Sequence, residues 1–314
     1  MDPLEQPLEI DAEFLAHFEQ GLDPQHPEAS RIPARILGFG EISCIFAIRN
    51  MADIAFKRLP IFQTLKEAED YAAMFRRYCR HLREAGLELP GQATAAVASA
   101  GGGAALYIAQ RQLPDGDFAH RRIQREDKSA ILSMLRKITA LIDGVWAFNA
   151  TRKPHLEIAL DGQLSNWACL AKDPEDRILY IDTSTPLFRV EGREQLDPEK
   201  LLKSAPAPLR WILRRFFLDD VMNRYYVHRD VLIDLIANLH KEQRPDLIAP
   251  VTDAVNQSSR GLAQPIAVAE VDRYYRSDRL IWSLFLAFRK IDRWLTQRLF
   301  RRRYEFILPG SIQR

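Results

Sequence analysis

Leu160-Asp161-Gly162-Gln163-Leu164-Ser165-Asn166-Trp167 places an aspartate and an asparagine five residues apart in a polar turn between two apolar, strand-like runs, His155–Leu160 and Trp167–Ala171. A second aspartate, Asp182, follows the next such run, Ile178-Leu179-Tyr180-Ile181. Carboxylate and amide oxygens suit a hard cation such as Mg2+, and an aspartate beside it can orient or deprotonate a hydroxyl. Singly, Asp and Asn in turns are commonplace. Their weight comes from the order of the elements around them.

Upstream, Arg31–Leu37, Cys44–Arg49 and Ile54–Leu59 have strand character and are joined by the connectors Gly38-Phe39-Gly40-Glu41-Ile42-Ser43 and Asn50-Met51-Ala52-Asp53. A helical period then runs from Thr64 to Ala85, with Tyr71, Met74, Tyr78 and Leu82 at intervals of three and four, and Gly86 stops it. Gln92–Ala98 and Ala104–Gln110 read as two further strands around Gly101-Gly102-Gly103. The expectation is a five-stranded antiparallel sheet with one helix inserted after its third strand. Beyond Pro114 the pattern turns helical: Lys128–Asn149 is periodic through Ile131, Leu135, Ile138 and Ile142, and residues 208–241 and 277–303 give long amphipathic helices. The chain is therefore read as α+β and two-lobed, with an N-terminal extension over 1–30, a small β lobe over 31–112 and a larger, mainly helical lobe over 113–314.

Phosphoryl transfer from a nucleotide depends on positioning and charge neutralisation. It asks for a loop that approaches phosphate, a fixed cation, metal-holding oxygens and a base. Gly38 and Gly40 allow close backbone approach in the first connector, although a Gly-x-Gly hairpin is also an ordinary tight turn. Lys57 shares a strand face with Ala55 and Leu59, so its ammonium requires a partner unless it is solvated at a sheet edge. Glu67, Glu69 and Asp70 at the start of the following helix are candidates for that partner.

In this order the elements resemble the protein-kinase-like superfamily, and within it the small-molecule branch of aminoglycoside phosphotransferases, choline kinases and methylthioribose kinases. The resemblance spans roughly residues 32–190. Gly38-Phe39-Gly40-Glu41-Ile42-Ser43 is similar to the phosphate-covering loop and Ala55-Phe56-Lys57 to the strand with the phosphate-binding lysine. Gly86-Leu87-Glu88-Leu89-Pro90 is similar to the Gly-x-x-x-Pro stretch after the first helix. Asp161 and Asn166 match the catalytic-loop pair, and Asp182 matches the metal-binding aspartate. The resemblance implies an ATP- and Mg2+-dependent transfer to a hydroxyl of a small molecule. Gly38, Gly40, Ser43 and Lys57 would hold the phosphates, Glu69 would orient Lys57, Asn166 and Asp182 would bind Mg2+, and Asp161 would receive the proton. Four positions depart from the pattern: Ala159 stands where the branch has His, Ser43 replaces the third loop glycine, Thr183 follows the metal aspartate, and Phe75 occupies the position spacing assigns to the helix acid. A catalytically inactive nucleotide-binding or scaffold protein of the same fold, able to associate with a membrane surface through its basic C-terminal helix, is the alternative.

His228-Arg229-Asp230 spells a kinase triplet but lies in a helical period, with Leu235 where an asparagine would be needed. It reads as charges on a helix face, or as acceptor recognition by Arg224, Arg229 and Asp230. Of 314 residues 47% are hydrophobic and 27% charged, a globular composition. The net charge of +2 and the lack of a base-stacking pattern of aromatic residues argue against nucleic acid. Cys44, Cys79 and Cys169 are far apart and read as reduced thiols. With no apolar leader and no apolar run of about 18 residues, the expected location is cytoplasmic. Residues 271–314 carry eleven Arg/Lys against four Asp/Glu, so the last helix is either packed on its own lobe or a basic amphipathic element able to lie on an anionic membrane surface.

Overall fold

Strands β1 (Ala34–Phe39), β2 (Cys44–Ile48), β3 (Ile54–Phe62), β4 (Gln92–Ala98) and β5 (Ala104–Arg111) form one antiparallel sheet in the order β1-β2-β3-β5-β4. The computed structural model describes residues 8–39, 43–49, 51, 53–170, 177–197, 222–299, 301 and 303–307, without the side chains of residues 282, 284–286 and 288. Strand β3 runs past the expected Leu59 and through Pro60. The ladder to β5 shifts register between Leu59 and Phe62, so the missing proline N–H falls at an irregularity. β1 also extends further than expected and takes in Gly38, beside a register shift after Ile36.

Helix α1 (Ala12–Gly21) is capped by Asp11, whose carboxylate accepts from the Glu13 and Phe14 amides. It packs Leu15 and Phe18 on one face of the sheet, against Phe46, Phe56 and Tyr107. Helix α2 (Leu65–Glu84) covers the other face with Tyr71, Phe75, Tyr78 and Leu82. Thr64 caps its start, and its end is a Schellman turn in which Gly86 takes φ +92° while the Gly86 and Leu87 amides bond Arg83 and Leu82 carbonyls. The turn aims the following segment at the second lobe, where the Glu88 carbonyl accepts from the Tyr180 amide at 2.9 Å.

The second lobe holds α3 (Ala119–Arg122) and α4 (Lys128–Arg152), then the short strands β6 (Leu156–Ile158), β7 (Trp167–Cys169), β8 (Ile178–Tyr180), β9 (Phe188–Val190) and β10 (Arg193–Glu194). Helices α5 (His228–Lys241), α6 (Ile248–Ser258) and α7 (Val268–Trp294) follow, with a π-helical turn over Leu295–Leu299. The architecture is α+β with an antiparallel sheet lobe and a mainly helical lobe, as expected. Three boundaries differ. The expected helix 208–241 lies partly outside the described residues, and its described part is broken: helical residues 222–224 end in a turn, Val227 is extended, and α5 starts at His228. The last helix starts at Val268 rather than 277 and leaves α geometry after Trp294. The β9–β10 hairpin was not expected, because its strands are too short to show a period. Cys44, Cys79 and Cys169 are free and buried. Among the described residues no helix is long and apolar enough to cross a membrane.

Consecutive strand residues point to opposite faces, and β3 uses this to aim one cation each way. Lys57 faces the second lobe. Arg58, 1% exposed, faces α1, where its guanidinium donates to both Glu19 carboxylate oxygens at 2.6 and 2.7 Å. It also donates to the Glu305 carbonyl and carboxylate at 2.8 and 2.6 Å, so the C-terminal segment returns to the first sheet. Tyr107 OH and Ser99 Oγ donate to Glu19 as well. Burial alone would raise the Glu19 carboxyl, but Arg58 holds it below its ordinary value. Removing one member of such a buried pair strands the other charge. Glu19→Ala should therefore lower unfolding stability by about 3–5 kcal/mol in a denaturant titration; a loss below about 1 kcal/mol would show that water solvates Arg58.

Candidate functional site

Register alone brings two of the predicted residues together. β7 and β8 pair with Trp167 opposite Tyr180, so Asn166 and Ile181 meet at the end of the ribbon, where the Ile181 amide donates to the Asn166 carbonyl at 2.9 Å. Asp182 follows immediately and meets Lys57, whose Nζ donates to Asp182 Oδ1 at 2.7 Å. Both side chains are mostly withdrawn from water, 18% and 28% exposed. Burial alone would raise the Asp182 carboxyl, but the Lys57 ammonium outweighs it and leaves Asp182 below the ordinary carboxylate range.

The two residues after Asp182 brace it. Ser184 Oγ donates to Asp182 Oδ1 at 3.0 Å, and Tyr71 OH from α2 donates to the Ser184 carbonyl at 2.8 Å. Thr183, buried, accepts from Gln92 Nε2 of β4 at 2.9 Å. Gln110 Nε2 of β5 donates to the Ile181 carbonyl at 3.0 Å. The loop that carries Asp182 is thus hydrogen-bonded from α2, β4 and β5.

Asp161 lies in the turn before the 3-10 segment Leu164–Asn166. Its Oδ1 accepts from the Gln163 amide at 3.0 Å and its carbonyl from Asn166 Nδ2 at 3.3 Å, so Asp161 and Asn166 hold each other's loop. Gly162 admits close packing: a Cβ there would come 2.7 Å from the Val231 carbonyl of α5. Tyr78 OH donates to the Ala159 carbonyl at 2.6 Å, and the Asp161 amide donates to Tyr180 OH at 3.2 Å. These two buried tyrosines position the Asp161 turn. Neither was found from the sequence, because each looks like one more apolar position of a helix or strand.

Burial first, and then the charge of Asp182, push the Asp161 carboxyl up to about 6. Asp234 of α5, also buried, is raised by its burial and by the charges of Asp161 and Asp278. Arg224 donates to Tyr274 OH at 3.2 Å and lies 3.7 Å from Asp278, which places it in this acidic region of the helical lobe.

Several sequence-based expectations need correction or fall elsewhere. Glu69 is exposed and does not reach Lys57; the buried face of α2 carries Ala68, Tyr71, Ala72, Phe75 and Tyr78, so the lysine pairs with Asp182 instead. Arg229 donates to the Gln264 and Pro265 carbonyls and to both Glu270 oxygens, clamping α5 to α7. Asp230 sits in the first turn of α5, its carboxyl raised by burial against the pull of Arg224 and Arg229. His228, beside it, bonds Asp143 at 2.8 Å, so the His-Arg-Asp triplet is a helix start rather than a catalytic loop. Gly38 is a strand residue, Ser43 is buried at the start of β2, and Gly40 lies outside the described residues.

The oxygens of Asn166 and Asp182 suit Mg2+ rather than a soft metal. Among the described residues no group of three or more His, Cys, Asp or Glu side chains closes a metal site. An ion held by these two residues would therefore complete its shell with water and substrate phosphate, as Mg2+ commonly does.

Asp161 supplies a pH test. With a folded-state value of about 6 against about 4 unfolded, it holds its proton more tightly when folded. Its stabilising contribution is full below about pH 4 and lost as pH rises through about 6. Urea titrations should show wild type losing roughly 2–3 kcal/mol relative to Asp161→Asn between those limits. A difference that stays constant with pH would mean that Asp161 titrates normally.

Among solved structures, this chain is similar to a mutant kinase domain of Mycobacterium tuberculosis PknI, with 14% identity over 76% of this chain and 79% of that one and a TM-score of 0.34. It is also similar to WaaP, solved in complex with acyl carrier protein, with 9% identity over 78% of this chain and 90% of that one and a TM-score of 0.33. No curated protein matches it. Residues 35–293 match the model of a family of unknown function, DUF6206, and the chain belongs to that family.

Proposed function

We propose that this protein transfers a phosphoryl group from Mg2+-bound ATP to a hydroxyl of a small molecule. The observation that carries the reading is the ion pair of Lys57 and Asp182 at 2.7 Å, with Asn166 and Asp161 held in the adjoining loop. A lysine on a sheet and a carboxylate on a braced loop form one preorganised cation–anion pair, from which Lys57 would turn to phosphate oxygens and Asp182 to the ion. Lys57 donates to the phosphate oxygens. Asp182 and Asn166 would hold the ion, whose charge would offset that of the phosphate oxygens. Asp161, raised to about 6, is ionised at neutral pH yet basic enough to take the proton of an attacking hydroxyl. A Cβ at Gly38 would meet only Ile45 Cδ1, at 3.5 Å, so packing does not require glycine there and close approach to phosphate supplies a reason for it. The acceptor would enter beside Asp161, toward Asp234 and Arg224 of the helical lobe.

The exposed position of Glu69 favours a second reading, a nucleotide-binding protein of the same form that does not turn over. With no α2 acid facing it, Lys57 has Asp182 as its only ion-pair partner among the described residues.

Thermal unfolding with ATP, with and without Mg2+, tests both. Ligand at 100 times its dissociation constant adds about 2.7 kcal/mol, a shift of several degrees. A Mg2+-dependent rise that disappears in Asp182→Ala and Lys57→Ala is expected, together with phosphate transfer to a hydroxyl acceptor or slow release to water. A rise without transfer or hydrolysis selects the second reading, and no rise at millimolar ATP defeats both.

A further inference from the structure

Among the described side chains of α7, a buried arginine lies opposite large apolar residues that are exposed. Arg289 is 1% exposed, with its guanidinium 4.3 Å from the Phe306 ring centroid. Leu280, Ile291 and Trp294, with Leu299 in the π-helical turn, are 62%, 51%, 60% and 64% exposed, the highest values of any large apolar side chain among the described residues. At about 100° per residue, Leu280, Ala287, Ile291 and Trp294 fall within about 60° of one another, and Arg289 lies about 180° from Leu280. These four residues therefore share one face of the helix, opposite Arg289 and the returning C-terminal segment that it contacts.

Charge identifies the partner. Exposed Arg273 and Arg276 continue the stripe toward the helix start, exposed Arg279 and Lys290 line one edge, and exposed Arg298 follows its end. Asp278, by contrast, turns inward toward Arg224. Residues 271–314 carry a net charge of +7 by the count above. An identical face from a second copy would bring like charges together. An anionic bilayer offers an apolar layer for the stripe, phosphate for the cations and an interface suited to tryptophan. No described helix is apolar enough to cross the bilayer.

We propose that α7 docks this protein on an anionic membrane surface, lying along the headgroup plane with Leu280, Ile291, Trp294 and Leu299 inserted. This inference stands independently of the phosphotransfer reading. The full chain would be sedimented with vesicles of phosphatidylcholine alone or mixed with about one-third phosphatidylglycerol, at low salt and at roughly physiological salt. The expected result is at least tenfold stronger partitioning to the anionic vesicles, weakening as salt rises. Ile291→Glu with Trp294→Glu should remove it, while Leu65→Glu on α2 should not. Trp294→Gln, expected to weaken it severalfold, serves if the double variant melts early. Equal partitioning to both vesicles, no partitioning, or unchanged binding by correctly folded stripe variants would overturn the proposal. So would a lipid-free dimer that the same variants dissociate, since a second copy would then be what covers the stripe.

Discussion

The meeting of Lys57 and Asp182 is the constraint on which the rest of the structure turns. A lysine pointing to the apolar side of a sheet is costly without an opposite charge. Here that charge arrives from the other lobe. To deliver it, the chain needs a β7–β8 ribbon in the right register, a loop with Ser184 and Thr183 holding its shape, and a segment from Gly86 to Glu88 that ties α2 to β8. Each of these is a local solution with its own hydrogen bonds. Together they set where one carboxylate stands relative to one ammonium.

A site built from such a pair holds binding and restraint in one contact. Asp182 carries its charge at neutral pH because Lys57 stabilises it, while Asp161 is held up by burial and by the charge of Asp182. Two carboxylates from one neighbourhood are thus separated in proton affinity by their surroundings alone, the pattern that assigns acid–base roles in enzyme sites.

Much of this was legible in the residues. The sheet, α2, α4 and the turn with Asp161 and Asn166 follow from periodicities of two and between three and four, with Gly86 and the polar turns marking the ends. The ribbon that brings Asp182 to Asn166 could be inferred from two apolar runs flanking one loop. The helix acid could not. Glu69 and Phe75 differ in which face of α2 they occupy, and that face is set by packing against the sheet rather than by distance along the chain. Tyr78 and Tyr180 escaped for a related reason: their rings serve the core while their hydroxyls serve the loop, and a hydropathy pattern registers only the ring. Arg58 gave no local sign that its partners would be Glu19 and Glu305, near opposite ends of the chain.

That last contact has a mechanical consequence. With α1 and the segment around Glu305 both fastened to Arg58, the chain forms a ring closed by hydrogen bonds rather than by a covalent link. Displacing either Glu19 or Glu305 would load the same guanidinium, one residue from Lys57 and on the opposite face of the same strand. The sheet that carries the site thereby also fastens α1 and the segment around Glu305 to one another through β3.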